Sequence, residues 1–458
     1  MSSWQPPPSS HACVTSRSGD LCVARQISKS ALPLAAPWVD PARPMPMLTR
    51  IVLGILDDLT HDLPLITTIA VGLSLACFLA LIAHRLKLPL IAGYLVAGIL
   101  IGPFTPGFVA NQELATELAE IGVILLMFGV GLHFSVRDLM SVKAIAIPGA
   151  VVQILVATLA GVGLAMLMGW GLGAGLIFGL SLSVASTVVL LRALQEHDIV
   201  ATDKGRIAVG WLIVEDLVMV AALVLIPPLS GLLGGRAEAG VPLSDLGQVL
   251  GMTALKVTAF VAIMLVIGRR VIPAILHYAA LTGQKELFRL TVLAVALGVA
   301  LAAATIFGVS FALGAFFAGM VMSGSTLSAR AAKDMLPFRD AFAVLFFVSV
   351  GMLLSPAVFW TDPLAVLATV TIILAVKSVA AYGIVRAFGH DSATGLIVAA
   401  ALAQIGEFSF ILIGMGTQLG ITPAIASDFV VAGALVSIIL NPLMFSVVLR
   451  YLAKPETA

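Results

Sequence analysis

The chain has 458 residues, of which 60% are hydrophobic and 11% are charged, and its formal net charge is +1. Its mean hydropathy is +1.11, whereas a soluble globular protein carries about 25% charged residues. The composition predicts a membrane protein and gives no support to a nucleic-acid-binding protein. Cys13, Cys22 and Cys77 have neither the spacing of a zinc site nor that of a disulfide framework.

Residues 1–46 are rich in Pro and Ser and contain no apolar run of membrane length. This composition predicts a disordered tail, and the tail lacks the apolar stretch of a signal peptide. Met45 and Met47 are alternative starts, in which case the tail is not part of the protein. Residues 47–62 have the pattern of a short amphipathic helix lying at the membrane interface.

From Pro64 onward the chain divides into apolar segments of a length that can cross a bilayer. Thirteen are predicted, at residues 64–83, 88–104, 114–132, 144–168, 172–195, 206–230, 247–268, 287–307, 309–323, 337–354, 363–387, 393–416 and 424–449. Basic residues concentrate in alternate loops, for example Arg269 and Arg270 after the seventh segment. By the positive-inside rule the C-terminus is cytoplasmic and the first segment begins outside.

Segments one to six and eight to thirteen superimpose at a spacing of about 220 residues. Because a seventh segment joins them, the two halves have opposite orientations in the membrane, which is the build of secondary transporters. The predicted fold class is therefore an all-α polytopic membrane protein with about thirteen transmembrane helices in inverted repeats.

Charged residues in the middle of these segments are the candidates for chemistry. Glu215 and Asp216 are adjacent in the sixth segment, and Lys377 lies within the eleventh. Each carboxylate at a helix centre costs about 3 kcal/mol on insertion scales, so an acidic doublet there marks a cation or proton site. Lys377 should face one of the two carboxylates. That ion pair either opens when a cation arrives or is permanent and structural.

Two segments carry polar residues and glycine in midspan. The residues concerned are Ser181, Ser183, Ser186 and Thr187 in the fifth segment, and Gln404, Gly406, Glu407 and Ser409 in the twelfth. Matching interruptions predict broken helices, whose free backbone groups can coordinate a dehydrated cation. The alternative is that the hydroxyl groups bond back to their own helix.

Other polar residues receive a structural interpretation. Glu113, Glu117 and Glu120 share one helix face, which is solvated or interfacial, with a role in ion access as the alternative. Gln153 is interpreted as an interhelical hydrogen bond and not as a ligand. The sequence contains no nucleophile and base pair, metal cluster or phosphate-binding loop, so neither an enzyme nor a cofactor is predicted.

Several long motifs follow one another along residues 64–454. They are LPLIAGYLVAGILIGPFTPGF at 88–108, ELAEIGVILLMFGVGLHFS at 117–135, ASTVVLLRAL at 185–194, GWLIVEDLVMV at 210–220, VSFALGAFFAGMV at 309–321, LPFRDAFAVLFFVSVGML at 336–353 and AQIGEF at 403–408. In these motifs the chain resembles the Kef-type members of the second cation:proton antiporter family, most closely the YbaL-like branch.

The resemblance implies a sodium/proton antiporter-type fold with two crossed discontinuous helices, in a membrane domain that spans residues 63–454. A core domain would comprise residues 144–230 and 363–449, and the remaining helices would form a scaffold and dimerisation domain. Carried over by position, Asp216 binds the ion or proton. Glu215 occupies the preceding position, which is Asp in electrogenic relatives, Asn in many electroneutral ones and Gln in the Kef proteins, so the stoichiometry stays open. The other matching positions are Lys377 as the charge partner, Ser186 and Thr187 in the first break, and Gln404 and Glu407 in the second.

The function implied is secondary active antiport of a monovalent cation, K⁺ in preference to Na⁺, against protons by alternating access. A homodimer in the bacterial inner membrane is expected. Kef relatives also carry a cytoplasmic nucleotide-binding regulatory domain after the last helix, which is expected to lie outside this chain. The alternative function is a gated, channel-like K⁺ efflux pathway held shut by such a cytoplasmic partner.

Overall fold

The computed structural model describes residues 64–106, 108–133, 136–200, 202–235 and 246–452. The secondary structure in these ranges is helical. Two predictions, the disordered tail at 1–46 and the interfacial helix at 47–62, lie outside the described residues.

The helices are numbered in chain order. They are α1 Pro64–Arg85, α2 Leu90–Ile101, α3 Gln112–His133, α4 Val136–Leu167, α5 Leu172–Ser183, α6 Thr187–Glu196, α7 Asp203–Leu229, α8 Leu246–Ile263, α9 Arg269–Leu281, α10 Lys285–Phe307, α11 Phe311–Ser323, α12 Ser328–Met352, α13 Val358–Thr361, α14 Pro363–Thr371, α15 Lys377–Ala387, α16 Ser392–Leu402, α17 Glu407–Gln418 and α18 Ile425–Leu452. Two π-helical turns, Met264–Gly268 and Ile372–Val376, join α8 to α9 and α14 to α15.

Each predicted segment overlaps a helix or a pair of helices. Within the described ranges, ten helices are long and apolar enough to cross a membrane, or up to eleven if the bent pair α16–α17 is one span. The two other predicted segments correspond to α2, with 12 residues, and α11, with 13 residues. Both are shorter than the roughly 20 residues of a perpendicular span. The polytopic helical class is therefore confirmed, whereas the number thirteen is not.

Glycines in α4 bring this helix close to α5 and α7. A Cβ atom on Gly161 would overlap the Cα of Gly179 in α5 and lie 3.0 Å from its backbone nitrogen, and one on Gly149 would overlap the ring of Trp211 in α7. Helices in lipid gain little from the hydrophobic effect and associate largely through such close packing. These contacts hold α4 against both the first interrupted span and the helix that carries the acidic doublet.

Side-chain caps fix the starts of three helices around the doublet. The hydroxyl of Ser186 caps α6 by accepting from the N–H of Val189 at 3.4 Å. The hydroxyl of Thr202 caps α7 by accepting from the N–H of Gly205 at 3.2 Å. Asp391 caps α16 through the N–H of Thr394 at 3.3 Å. The hydroxyl of Thr394 also donates to Asp391 and holds the pKa of this carboxyl below its usual range. The caps satisfy N–H groups that a helix start leaves free.

The close contact of α4 with α5 predicts different effects for two neighbouring glycines. Gly161→Ala should lower the thermal unfolding temperature of the purified protein in detergent, because overpacking of this kind costs about 1–3 kcal/mol. Gly163→Ala is the control, because a Cβ on Gly163 meets no atom within 4 Å. It should leave the temperature unchanged or raise it slightly, since Ala favours helix more than Gly does. Equal behaviour of the two variants would contradict this account of the contact.

Candidate functional site

The acidic doublet lies in the interior of the helix bundle. Glu215 and Asp216 in α7 are 0% and 5% exposed. Adjacent helix positions diverge by about 100°, and the two side chains accordingly contact different partners. Glu215 accepts hydrogen bonds from α4 and from the break after α5, whereas Asp216 accepts one from Thr187 at the start of α6. The doublet therefore supplies two separate carboxylates with different surroundings.

Two interrupted spans meet beside the doublet. Residues 184–186 separate α5 from α6, and residues 403–406 separate α16 from α17 with a bend of 46°. The side chain of Gln404 joins the two breaks, since its Oε1 accepts from the backbone N of Ser186 at 2.8 Å and its Nε2 donates to the Ser186 carbonyl at 3.1 Å. Gly406 permits this approach, because a Cβ there would lie 2.5 Å from the Cα of Ser186. Gln404 thus satisfies backbone groups in the first break.

Hydroxyl groups of the first break donate to two carboxylates. Thr187 Oγ1 donates to Asp216 Oδ2 at 3.2 Å, and Ser186 Oγ donates to Glu407 Oε2 at 3.3 Å. The remaining oxygens, Asp216 Oδ1 and Glu407 Oε1, are buried and have no hydrogen-bond partner in the described part of the chain. The N-termini of α6 and α17 also lie here, and their positive dipole ends offset part of the negative charge. Each open oxygen can accept a proton or coordinate a cation.

Lys377 lies at the start of α15 and is 0% exposed. Its Nζ donates to the carbonyl of Gln404 at 3.0 Å. No carboxylate within the described ranges lies within the 4.0 Å of an ion pair, so the direct ion pair expected from the sequence is wrong in this structure. The break accounts for the difference, because a continuous helix would pair the Gln404 carbonyl with an N–H of its own.

The hydroxyl groups of the interrupted spans divide into two sets. Ser181 and Ser183 donate to carbonyls of their own helix at 2.8 and 2.7 Å, so the alternative of back-bonding is correct for these two. Ser186 and Thr187 instead reach Glu407 and Asp216 on other helices. The hydroxyl of Ser409 is buried without a hydrogen-bond partner among the described residues.

Two of the structural interpretations agree with the structure. Glu113, Glu117 and Glu120 are exposed on α3, as a solvated or interfacial face requires. Gln153 makes the expected interhelical hydrogen bond, and its acceptor is Glu215 Oε1 at 2.6 Å. The sequence did not indicate that this bond ends on the acidic doublet.

Asn441 in α18 was missed by the sequence analysis. Its side chain is 0% exposed, and Nδ2 donates to the carbonyl of Ala400, near the end of α16, at 2.8 Å. The signal was present, since Asn441 is a polar residue in the middle of the last apolar segment, directly before Pro442. Such a residue in a membrane helix commonly bonds to a neighbouring helix.

Comparisons with known proteins bear on this arrangement. The profile described as "Sodium/hydrogen exchanger, transmembrane" matches residues 72–451. The chain belongs to this exchanger family. Its fold is similar to that of the sodium proton antiporter MjNhaP1 from Methanocaldococcus jannaschii, with a TM-score of 0.57 and 18% identity over 85% of this chain and 99% of that one. The antiporter-type fold is confirmed by this match.

Among relatives in the exchanger family, the Escherichia coli protein named "Putative cation/proton antiporter YbaL" is 58% identical over 397 residues. The match covers 87% of this chain and 71% of YbaL. K(+) efflux antiporter 4 of Arabidopsis thaliana is 34% identical over 79% of this chain, which spans only 60% of that relative's length. The resemblance to the Kef type and to its YbaL-like branch is confirmed.

The contact between the two breaks of this exchanger predicts that Gln404→Leu is destabilising. The variant leaves the Ser186 N–H buried without its partner, at about 1–3 kcal/mol for an unsatisfied group, and removes the Nε2 donor to the Ser186 carbonyl, which still accepts from the backbone N of Leu190 at 3.0 Å. Its unfolding temperature in detergent should fall by several degrees. The exposed Gln418, at the end of α17, gives the matched control Gln418→Leu, which should unfold like the parent protein. A Gln404→Leu variant as stable as the control would show that this contact does not hold the breaks together.

Proposed function

We propose that this protein exchanges a monovalent cation for protons, with Asp216 binding either one or the other. Membership of the exchanger family supports cation/proton antiport in general terms. The observation that carries the proposal is that two buried carboxylates, Asp216 and Glu407, accept from adjacent residues at the first helix break, and that each has one oxygen without a hydrogen-bond partner among the described residues.

Competition for one carboxylate is sufficient to couple the two fluxes. Asp216 and Glu407 accept from the neighbouring hydroxyls of Thr187 and Ser186, and two buried anions at one site without a counter-ion are unfavourable. A proton on Asp216 removes that repulsion, and so does a bound cation, but the carboxylate cannot hold both. Thr187, Ser186 and Gln404 would complete the site with hydroxyl and backbone oxygens in place of water.

Alternating access follows if the breaks move only when their charge is neutralised, because an unpaired ion facing lipid costs several kcal/mol. We propose that helices within residues 144–230 and 363–449 form the moving core, and that the other helices form a scaffold and homodimer contact. Lys377 would act as the charge partner of the site through Glu215. No cofactor is part of this proposal.

K⁺ is proposed in preference to Na⁺, since two relatives at 34% and 31% identity are named K(+) efflux antiporters. The proposed location is the bacterial inner membrane with the C-terminus cytoplasmic, on the strength of the basic residues in alternate loops. A nucleotide-binding regulatory domain after the last helix is proposed as a partner. The alternative of a gated channel receives no support from the named antiporter relatives.

The role of Asp216 is tested with purified protein in proteoliposomes. Asp216→Asn keeps the size of the side chain and removes the charge, so K⁺- or Na⁺-driven proton flux should fall to that of empty liposomes. Glu196→Gln is the control, because Glu196 is on the surface with its side chain 56% exposed, and it should exchange normally. Retained cation-driven proton flux in Asp216→Asn would refute the assignment.

Antiport is distinguished from a channel by counting both ions. In the same liposomes, cation uptake and lumenal pH should change in a fixed ratio over a range of K⁺ and Na⁺ gradients. A channel would instead conduct the cation without obligatory proton movement, and its flux would follow the imposed voltage. Cation flux with no accompanying change of lumenal pH would therefore favour the channel.

A further inference from the structure

The amide of Gln153 is turned toward the acidic doublet. The side chain is 0% exposed in the middle of α4, and its Nε2 lies 2.6 Å from Glu215 Oε1 and 3.5 Å from the Ser183 carbonyl. Both neighbours are oxygens that accept, so the NH₂ end of the amide must face them. The cost is that Gln153 Oε1 is buried without a hydrogen-bond partner in the described residues.

Glu215 has no open oxygen. While Oε1 accepts from Gln153, Oε2 accepts from the backbone N of Ala185 at 2.8 Å. Ala185 lies in the first break, where the regular helix ladder is interrupted. The carboxylate of Glu215 thus ties α4, the first break and α7 together.

The two acidic neighbours therefore differ in what they can bind. Glu215 has a protein donor on each oxygen, whereas Asp216 Oδ1 has none in the described ranges. Ala185 is two residues before Thr187, the donor to Asp216 Oδ2. A displacement of Glu215 would move Ala185, and through it the hydroxyl that orients Asp216.

We propose that Gln153 is a positioning residue for ion exchange. Its hydrogen bond fixes the side chain of Glu215, which in turn holds Ala185 in the first break, so that the neighbouring Asp216 is oriented toward the transported cation. This inference rests on the proposed function and assigns Gln153 no contact with the cation. A substitution of Gln153 should change the affinity for the cation, because Gln153 controls the positions of Asp216 and Thr187 through Glu215 and Ala185.

The test uses an isosteric exchange of groups, so that packing stays constant. In Gln153→Glu a second carboxyl group replaces the donor amide, so the two side chains either repel each other or bind a proton between them, and the Glu215 anion is no longer held by a neutral donor. In the double variant Gln153→Glu/Glu215→Gln the amide at position 215 can accept from Ala185 N–H through its oxygen and donate to the carboxylate at position 153. The double variant therefore restores both hydrogen bonds and the parent net charge.

The half-saturating K⁺ and Na⁺ concentrations and the maximal exchange rate are measured in proteoliposomes, together with the cation-induced rise in unfolding temperature in detergent. For Gln153→Glu we expect a half-saturating concentration raised about tenfold or more, the equivalent of about 1.4 kcal/mol, and a smaller thermal shift. The double variant should recover at least half of the loss on a logarithmic scale. Thr158→Val, which removes an α4 hydroxyl that is buried without a hydrogen-bond partner among the described residues, should match the parent protein.

An unchanged half-saturating concentration in Gln153→Glu would overturn the inference. So would a double variant no better than the single one, since Gln and Glu have the same size and a packing role predicts no rescue. If Gln153→Glu does not fold, Gln153→Met serves in its place, and an affinity equal to that of the parent protein would again overturn the inference. Failure of the proposed function is a separate outcome, because it appears as absent exchange in the parent protein or retained exchange in Asp216→Asn.

Discussion

The free-energy cost of burying charge in a helix bundle surrounded by lipid is the constraint on which this arrangement depends. Three carboxylates and one ammonium, those of Glu215, Asp216, Glu407 and Lys377, are at most 5% exposed. Such groups are tolerated only when hydrogen bonds or opposite charges replace the water that they lose. A bundle of regular helices offers few partners, because its backbone groups are already paired within each helix.

The two helix breaks supply the missing partners, and the charged residues in turn satisfy the breaks. The N–H of Ala185 donates to Glu215, and the carbonyl of Gln404 accepts from Lys377. Each of these backbone groups would be costly if it were buried alone, and so would each charge. Glu215, Lys377 and the two interruptions therefore satisfy one another's polar groups.

The sequence predicted those parts of the site that depend on residue type and period. Hydropathy located the spans, and the polar residues in midspan located both breaks, 218 residues apart where Ser186 meets Gln404. The acceptor of Lys377 could not be predicted, because a backbone carbonyl freed by a break carries no mark in the sequence. Likewise Gln153 and Asn441 were recognisable as polar membrane residues, but their partners lie on helices whose relative rotation only the fold determines.

The π-helical turn at Ile372–Val376 immediately precedes Lys377. Such a turn is equivalent to one residue inserted into an α-helix, and one residue corresponds to about 100° of rotation about the helix axis. With the insertion, Lys377 is buried against Gln404, while Val379, two positions later, is 71% exposed. Removing the insertion would rotate Lys377 about the helix axis by about 100°, away from that carbonyl. A local irregularity of the backbone therefore determines the direction in which the ammonium group points.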